Sequence, residues 1–325
     1  GPAQAGSLAA MNALTEAPDR ERALLAAALA SLNQIVLGKD REIRLAICCL
    51  LARGHLLIED IPGVGKTTLA HALARVLGLS FQRIQFTSDL LPADVIGVSV
   101  YDRGSGRFVF HRGPVFAQLV MADEVNRATP KAQSALLEAM EERQVTVDGE
   151  THLLPEPFFV VATQNPSFQI GTFPLPESQI DRFLMRIELG YPASSHERQL
   201  LRGRDRRDLL ADLPAVLDPA VIQSLQRRIP ELHASEALLD YVQALARASR
   251  DSGQHQAGLS PRAVISLLRA AQAWAFLHGH AGVLPEDLQA VLASVVGHRL
   301  RPRDAQDARR PLEIAAALLK SVPIP

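Results

Sequence analysis

The stretch that most constrains the fold is a short apolar run followed by a glycine-rich turn and a helical pattern. Residues 56–58 suit a buried strand, residues 61–65 form a Gly/Pro turn, and helical spacing begins near Lys66. This order is that of a phosphate-binding P-loop, in which backbone N–H groups and the helix dipole attract a triphosphate. The motif G-x-x-x-x-G-K-[ST] asks for glycine at position 60, where this chain has Asp60. The turn therefore relies on Gly63 and Gly65.

A P-loop assigns nucleotide contacts to consecutive residues. We expect Lys66 to reach the β- and γ-phosphates of ATP, and Thr67 to offer its hydroxyl to Mg²⁺. The expected nucleotide-binding set at the loop and helix start is Pro62, Gly63, Val64, Gly65, Lys66, Thr67 and Thr68. Upstream, Val36, Leu37 and Gly38 form a short apolar turn. Walling the adenine and plain helix packing are equally good interpretations of that turn.

Polar residues follow two further apolar runs that read as buried strands. The first run, residues 118–122, ends in Asp123 and Glu124, and the second, residues 158–162, leads through Thr163 to Asn165. The carboxyl ends of parallel strands in an α/β sheet lie on the ligand side. We therefore expect Asp123 to bind Mg²⁺ and Glu124 to polarise the attacking water. Asn165 would orient that water or touch the γ-phosphate, although an Asn-Pro turn is common in any protein.

Two arginines complete the candidate site. Arg182 lies at a predicted helix end, where pairing with an acid is the simpler alternative. Arg262 follows Ser260 and Pro261, the expected N-cap and first residue of a helix. A cation in the first turn opposes the helix dipole, which favours a functional role for Arg262.

The chain of 325 residues exceeds the usual size of a single core, so two domains are expected. We predict an α/β nucleotide-binding core over residues 11–192, with a parallel sheet between helices, and an all-α lid over 193–325. Residues 1–10 are expected to be disordered and to include a protease-cleavage scar. Turn residues predict two β-hairpin insertions, one with strands at 98–101 and 108–111 and the other at 144–154.

Composition excludes several classes of function. A net charge of −1 and 5% aromatic residues give no basic or stacking surface for nucleic acid. The only cysteines, Cys48 and Cys49, are adjacent and are poor disulfide partners, which fits a reducing compartment. No apolar run is long enough for a membrane span, and no signal peptide is visible. The expected location is therefore cytoplasmic.

The order of these residues resembles a known family. Lys66, Asp123 with Glu124, Asn165, Arg182 and Arg262 match the Walker A, Walker B, sensor 1, arginine-finger and sensor 2 positions of AAA+ ATPases. The segments at residues 122–142, 162–166, 175–183, 258–262, 284–288 and 298–299 are more specific, and they resemble the MoxR family from about residue 20 onward. Asp60 also occurs in that family.

The resemblance implies a homo-oligomer, most simply a hexameric ring, that hydrolyses ATP at subunit interfaces. It implies Mg-ATP as the nucleotide and a chaperone-like role in remodelling or maturing client protein complexes, with a von Willebrand factor A domain protein as partner. The two hairpins would be the helix-2 insert, at about 94–115, and the pre-sensor-1 hairpin, at about 145–154. Arg182 would act on the neighbouring subunit's ATP, and Arg262 would link nucleotide state to lid rotation.

Two other interpretations stay open at the level of sequence. One is a nucleotide-dependent assembly scaffold with little turnover, and the other is a motor subunit of the magnesium-chelatase type, which shares both insertions. The charge balance disfavours a DNA motor.

Overall fold

A computed structural model of the chain describes the backbone of residues 2–165 and 171–325, with side chains from residue 18 onward in these ranges. The first part contains α1 (Pro2–Ile35), α2 (Asp40–Leu51), β1 (Leu56–Glu59), α3 (Lys66–Val76), β2 (Phe81–Gln85), α4 (Pro92–Ile96), β3 (Gly97–Asp102), β4 (Arg107–Arg112), β5 (Leu119–Asp123), α5 (Pro130–Glu142), β6 (Gln144–Val147), β7 (Glu150–Leu153), β8 (Phe159–Gln164), α6 (Glu177–Ile180) and β9 (Met185–Ile187). The second part is helical, with α7 (Ser194–Arg202), α8 (Arg206–Ala211), α9 (Pro219–Arg228), α10 (Glu236–Asp251), α11 (Pro261–Leu277), α12 (Pro285–Val296) and α13 (Pro311–Lys320). The predicted α/β core with an all-helical lid is confirmed.

Five strands form a parallel sheet in the order β2-β5-β8-β1-β9. The chain leaves β1 for the far edge at β2 and later returns to the other side of β1 with β9. Ligands of open α/β sheets bind beyond the carboxyl ends of the strands at such a switch in strand order. The end of β1, where the glycine-rich loop begins, is therefore the expected ligand crevice.

Both faces of the sheet are buried along β1, β5 and β8, as their near-continuous apolar residues predict. Alternate residues of β1 enter two different hydrophobic clusters: Leu56 and Ile58 join the cluster beneath α2 and α3, and Leu57 joins the cluster with α5. The first cluster continues into the lid, where it includes Leu267 of α11 and Leu292 of α12. The lid is thus packed on the core through one apolar interior.

Both predicted hairpins are present. β3 pairs with β4 and β6 pairs with β7, each antiparallel. The turn of the second hairpin has positive φ at Asp148 (51°) and Gly149 (79°), which matches the right-handed twist of its strands. The rings of Phe110 and His152 stack with centroids 4.0 Å apart, so the two insertions contact each other.

The structure differs from the sequence-based expectation at the start of the chain. Residues 2–10 belong to helix α1 instead of being disordered, and α1 also extends through Pro18, beyond the periodic segment at 19–32. The reason is composition, because this segment is rich in alanine, the strongest helix former. Pro166, which follows Asn165, lies outside the described residues. Among the described helices, none is long and apolar enough to cross a membrane.

Candidate functional site

The loop between β1 and α3 has the backbone geometry of a phosphate cradle. Gly63 and Gly65 have φ of +83° and +93°, values that L side chains rarely adopt. Apart from the glycine and its two chain neighbours, no heavy atom of the described residues lies within 4 Å of where a Cβ would stand at either glycine, so the space beside the loop is open. Gly65 directly precedes Lys66, the first residue of α3, and the free N–H groups of that helix start therefore point towards the loop.

Lys66 is directed from this helix towards the ends of the neighbouring strands. Its Nζ donates to the backbone oxygen of Asp60 at 3.0 Å and lies 3.5 Å from Oδ1 of Asn165 on the adjacent strand end. Burial lowers the pKa of Lys66, and the negative charges of Asp123, Asp60 and Glu124 partly offset that shift. A cation in this position can neutralise phosphate charge.

Asp60, the departure from the motif, has a structural role. Its carboxylate accepts hydrogen bonds from the backbone N–H of Ile61 at 2.8 Å and from those of Leu189 and Gly190, each at 2.7 Å. The side chain thereby ties the start of the loop to the segment that follows β9. A glycine at position 60 has no atom that could make these bonds.

The carboxylate pair is held by the neighbouring strand. Thr163, fully buried near the end of β8, donates its hydroxyl to Oδ1 of Asp123 at 2.5 Å and accepts from the backbone N–H of Glu124 at 2.9 Å. Glu124 itself is in the left-handed region, with φ 55° and ψ 51°. A non-glycine residue there is uncommon, and such backbone strain clusters at functional sites.

Two arginines contact these carboxylates, and sequence reasoning missed both contacts. Arg83 of β2 pairs with Oδ2 of Asp123, and Arg127 pairs with Oε2 of Glu124 at 2.8 Å. A lone arginine on a half-exposed strand carries no recognisable pattern, so only the pairing of β2 with β5 reveals the first contact. The second has the spacing i, i+3, which could have signalled it.

The chemistry of the donors fits a magnesium–nucleotide site. Thr67 and Asp123 supply hydroxyl and carboxylate oxygens, the hard ligands that Mg²⁺ prefers, and this ion commonly takes its remaining ligands from phosphates and water. Within the described ranges, no group of three or more His, Cys, Asp or Glu residues could hold a metal alone.

The candidate adenine wall lies beside the start of the loop. Nζ of Lys39 donates to the backbone oxygen of Tyr191 at 3.3 Å, next to the segment that Asp60 holds. At Gly38, the ring of His196 in α7 comes within 2.6 Å of where a Cβ would stand. Val36 packs into the hydrophobic cluster, whereas Leu37 is half-buried. Helix packing thus accounts for Val36, and the adenine contact of residues 36–38 stays a prediction.

Arg182 lies far from the loop of its own chain. β9 runs parallel to β1, with Met185 opposite Leu56, so Arg182 is at the amino ends of these strands and the loop is at the carboxyl ends. Arg182 lines a cleft of about 340 Å³ there. Six arginines line this cleft: Arg53, Arg143, Arg182, Arg262, Arg269 and Arg299. Within the described residues, the guanidinium of Arg182 makes no hydrogen bond or ion pair, and the expected alternative of pairing with an acid does not hold.

Arg262 lines the same cleft. The predicted cap is present, since Oγ of Ser260 accepts from the N–H of Ala263 at 3.1 Å, and Pro261 begins α11. Arg262 pairs with Glu141 in the last turn of α5 at 2.5 Å. The structure thus does not bring Arg262 to its own phosphate loop but groups it with Arg182. Local sequence could not predict this placement, which follows from how the lid packs on the core.

Comparisons with known proteins agree with this geometry. Residues 55–185 match the family model described as the ATPase family associated with various cellular activities (AAA), and residues 247–318 match the AAA lid domain. A crystal structure of a protein from Cytophaga hutchinsonii, described as a candidate ATPase, superposes with a TM-score of 0.89 at 34% identity. It covers 97% of this chain and 99% of that one.

Named relatives are similar over most of their length. YeaC of Bacillus subtilis, an uncharacterised protein, is 42% identical over 93% of this chain and 95% of its own. Chaperone MoxR1 of Mycobacterium tuberculosis is 39% identical over 84% of this chain and 74% of its own. Protein MoxR of Paracoccus denitrificans is 36% identical over 91% and 95%.

Fold and site define a nucleotide-binding ATPase of the AAA+ class, an enzyme that hydrolyses ATP. Within that class, the chain belongs to the MoxR family.

Proposed function

We propose that this protein is one subunit of a homo-oligomeric ring, most simply a hexamer, in which each ATP site lies between two subunits. One subunit supplies the loop residues, Lys66 and Glu124, and its neighbour supplies Arg182 and Arg262. The observation that supports this most strongly is the position of Arg182, at the end of the sheet opposite its own loop. A heterologous, head-to-tail interface places such different surfaces of two copies against each other.

In this proposal each residue has a defined chemical task. Lys66 and the N–H groups of residues 63–68 bind the phosphates, and residues 36–38 contact the adenine. Glu124 polarises the attacking water by accepting a hydrogen bond from it, while Asn165 orients that water. The neighbour's Arg182 stabilises charge in the transition state, an effect worth about 10³–10⁵ in rate for arginines of this kind.

Mg²⁺, held by Thr67 and Asp123, would neutralise charge on the β- and γ-phosphates when bound. Thr163 keeps both Asp123 and the backbone of Glu124 in place through its hydroxyl. The site therefore has the parts for positioning and electrostatic stabilisation, which supply most of the catalysis in phosphoryl transfer.

The work of the ring, in our proposal, is chaperone-like: it remodels or matures a client protein complex together with a von Willebrand factor A domain partner. Its support is family membership and the names of two relatives, both MoxR proteins, one of which is named a chaperone. We assign residues 11–192 to the nucleotide-binding core and residues 193–325 to the lid, and we expect a cytoplasmic location without nucleic acid as partner.

The oligomer tests this proposal. Glu124→Gln keeps the shape of the side chain but removes the carboxylate, so it should bind ATP without turning it over. Light scattering of this variant should show a rise to about six subunits when ATP and Mg²⁺ are added. A monomer at saturating ATP, with undiminished hydrolysis by the unmodified monomer, would overturn the shared site.

A further inference from the structure

The residue pair His298–Arg299, just beyond α12 of the lid, reaches back to the short loop at residues 181–184. Nε of Arg299 donates to Oδ1 of Asp181 at 2.6 Å, and Nη2 donates to the backbone oxygens of Asp181 and Phe183 at 3.1 and 3.0 Å. Nη1 donates to the backbone oxygens of Leu184 at 3.0 Å and Val295 at 2.5 Å. A guanidinium has five N–H donors, and here every one is used.

Arg299 is shielded from solvent more than its partner Asp181, whose side chain is 31% exposed. The side chain of Arg299 is 6% exposed. Burial lowers the pKa of Arg299, and the hydrogen bond and charge of Asp181 oppose that shift. Because arginine stays protonated in proteins, the carboxylate and the four carbonyl oxygens together hold a buried cation. Losing such a network is costly, since carbonyl oxygens that Arg299 bonds, such as that of Leu184, would lose this donor.

His298 makes a second contact with the same loop. Its Nε2 lies 2.8 Å from the backbone oxygen of Phe183. Burial and the charge of Arg299 lower the pKa of His298 well below its ordinary value, so the ring is neutral. A neutral imidazole beside a carbonyl oxygen must carry its proton on the nitrogen that faces it, and Nε2 is therefore the donor.

The clamped loop contains Arg182. Arg299 holds backbone oxygens on both sides of this residue, at Asp181 and at Phe183, and thereby fixes the direction in which the Arg182 side chain leaves the loop. Among the described residues no hydrogen bond or ion pair ties the guanidinium of Arg182 to its own chain, so it can face another molecule at the cleft. A displacement of about 1 Å in a catalytic group can lower a rate by about 10²-fold.

The lid also holds the phosphate-binding helix of its own chain. Arg75 of α3 donates from Nη2 to the backbone oxygens of Ala211 and Leu213 at 2.8 and 3.1 Å. The N–H groups of Val216 and Leu217 donate to the backbone oxygen of Val76, at the end of α3. The lid is thus bonded at one side to the helix that begins with Lys66 and at another side to the loop of Arg182.

We infer that Arg299 is a positioning residue for Arg182: it fixes the loop that presents Arg182 to the next subunit's ATP and joins that loop to the lid. The inference rests on the proposed action of Arg182 across the subunit interface. Its consequence is that a substitution at Arg299 impairs hydrolysis in the neighbouring subunit, while ATP bound to the substituted subunit is hydrolysed normally.

Mixed oligomers test this directed effect. One parent, Glu124→Gln, has an inactive ATP site but keeps Arg182. The other parent, Arg182→Ala, keeps an intact ATP site but cannot supply Arg182 to the site of its neighbour. Turnover recovered on mixing comes from an Arg182→Ala subunit served by a Glu124→Gln neighbour. Arg299→Lys is then added to either parent, because lysine keeps the charge but cannot make five planar donations.

We expect Arg299→Lys in the Glu124→Gln parent to lower the recovered kcat about tenfold or more, with the KM for ATP unchanged. The same change in the Arg182→Ala parent should leave the recovered turnover unchanged. Equal loss in both positions, loss confined to the Arg182→Ala parent, or no loss would overturn the inference. Absence of any recovered turnover between the two parents would instead overturn the proposed role of Arg182 itself.

Controls separate positioning from folding. Arg301→Lys is the matched control, because Arg301 is about half exposed and, among the described residues, its side chain pairs with Glu177 alone, at 3.3 Å. It should have no effect in either parent. Thermal unfolding of each chain is followed alongside, and Asp181→Asn, which keeps the shape of the loop and removes the charge at Nε of Arg299, repeats the comparison if Arg299→Lys does not fold.

Discussion

Lys66 and Arg182 lie at opposite ends of the same pair of parallel strands. Lys66 follows the carboxyl end of β1, and Arg182 precedes the amino end of β9, with Leu56 opposite Met185 between them. The paired segment spans about 10 Å along the strands, and the loops at both ends add to this separation. In the proposed ring, an ATP site with both residues requires two copies of the chain. Assembly is therefore a condition for hydrolysis.

Replacing Asp60 by glycine would restore the motif residue, yet we expect it to weaken the protein. The carboxylate accepts from three backbone N–H groups, those of Ile61, Leu189 and Gly190. Losing them should lower the free energy of unfolding by about 1–3 kcal/mol and raise the dissociation constant for ATP several-fold. Urea unfolding and ATP titration measure both effects.

Asp60→Asn serves as the comparison for that variant. It keeps the side-chain shape and one acceptor oxygen, so its losses should fall between those of wild type and Asp60→Gly. A glycine variant as stable as wild type, with unaltered ATP affinity, would show that the carboxylate does not organise the loop.

Removing the charge of Arg83 should strengthen magnesium binding. Arg83 pairs with the carboxylate of Asp123, the proposed Mg²⁺ ligand, and is itself 47% exposed. For a pair this exposed, the interaction is about 0.5–1 kcal/mol, so Arg83→Gln should lower the Mg²⁺ concentration for half-maximal hydrolysis about two- to fivefold.

The matched control is Arg103→Gln in the exposed turn of the first hairpin, which should leave the Mg²⁺ dependence unchanged. A higher Mg²⁺ requirement for Arg83→Gln would contradict competition and indicate that Arg83 orients Asp123 for the metal.

The kcat values of Arg182→Ala and Arg182→Lys should differ less from each other than either does from the kcat of wild type. Alanine removes the charge, and lysine keeps it without the planar fork that matches phosphate oxygens. We expect kcat to fall about 10³-fold or more for alanine with the dissociation constant for ATP nearly unchanged. Single-turnover hydrolysis and equilibrium binding separate the two quantities, and a variant that lost ATP binding in proportion to kcat would place Arg182 at its own nucleotide instead.

His55 should make stability depend on pH. Burial lowers the pKa of His55 from 6.5 to about 3. Its Nδ1 accepts from the N–H of Val160 at 3.0 Å. The unfolded chain therefore takes up this proton as pH falls below 6.5, whereas the folded chain stays neutral to about pH 3, so stability falls through that window.

His55→Gln tests that dependence, because glutamine offers an acceptor and a donor but does not titrate. The variant should be less stable than wild type at pH 7. Since each pH unit is worth about 1.4 kcal/mol, the difference should shrink by about 2 kcal/mol at pH 5. Other buried histidines are present in both proteins, so their contributions to the pH dependence cancel in the difference. A stability difference that is constant with pH would exclude His55 as the titrating group.

Sequence was most informative where local pattern and chemistry coincide. Gly63, Gly65 and Lys66 follow an apolar strand, and the structure confirms a loop there with positive φ at both glycines. The two hairpins were predictable from turn residues such as Asp148 and Gly149. The start of α1 was not, because a segment that resembles a linker also has the composition of a helix.

Contacts between distant segments could not be predicted. Arg299 lies more than one hundred residues after the loop that it clamps, and no periodicity relates the two. The grouping of Arg262 with Arg182 depends on how α11 packs across the core, and the pairing of Arg83 with Asp123 depends on strand order. Such contacts arise from tertiary packing, whereas sequence patterns report local structure.

Mixing Arg182→Ala and Glu124→Gln chains over a range of proportions shows whether one ATP site is built from two subunits. Each variant alone should be inactive. If an intact site needs only its neighbour's Arg182, recovered hydrolysis should peak at equal proportions, at about a quarter of the wild-type rate per subunit in a randomly mixed ring. No recovery at any proportion, in oligomers shown by mass to contain both chains, would mean that Arg182 does not act on the ATP of a neighbouring subunit.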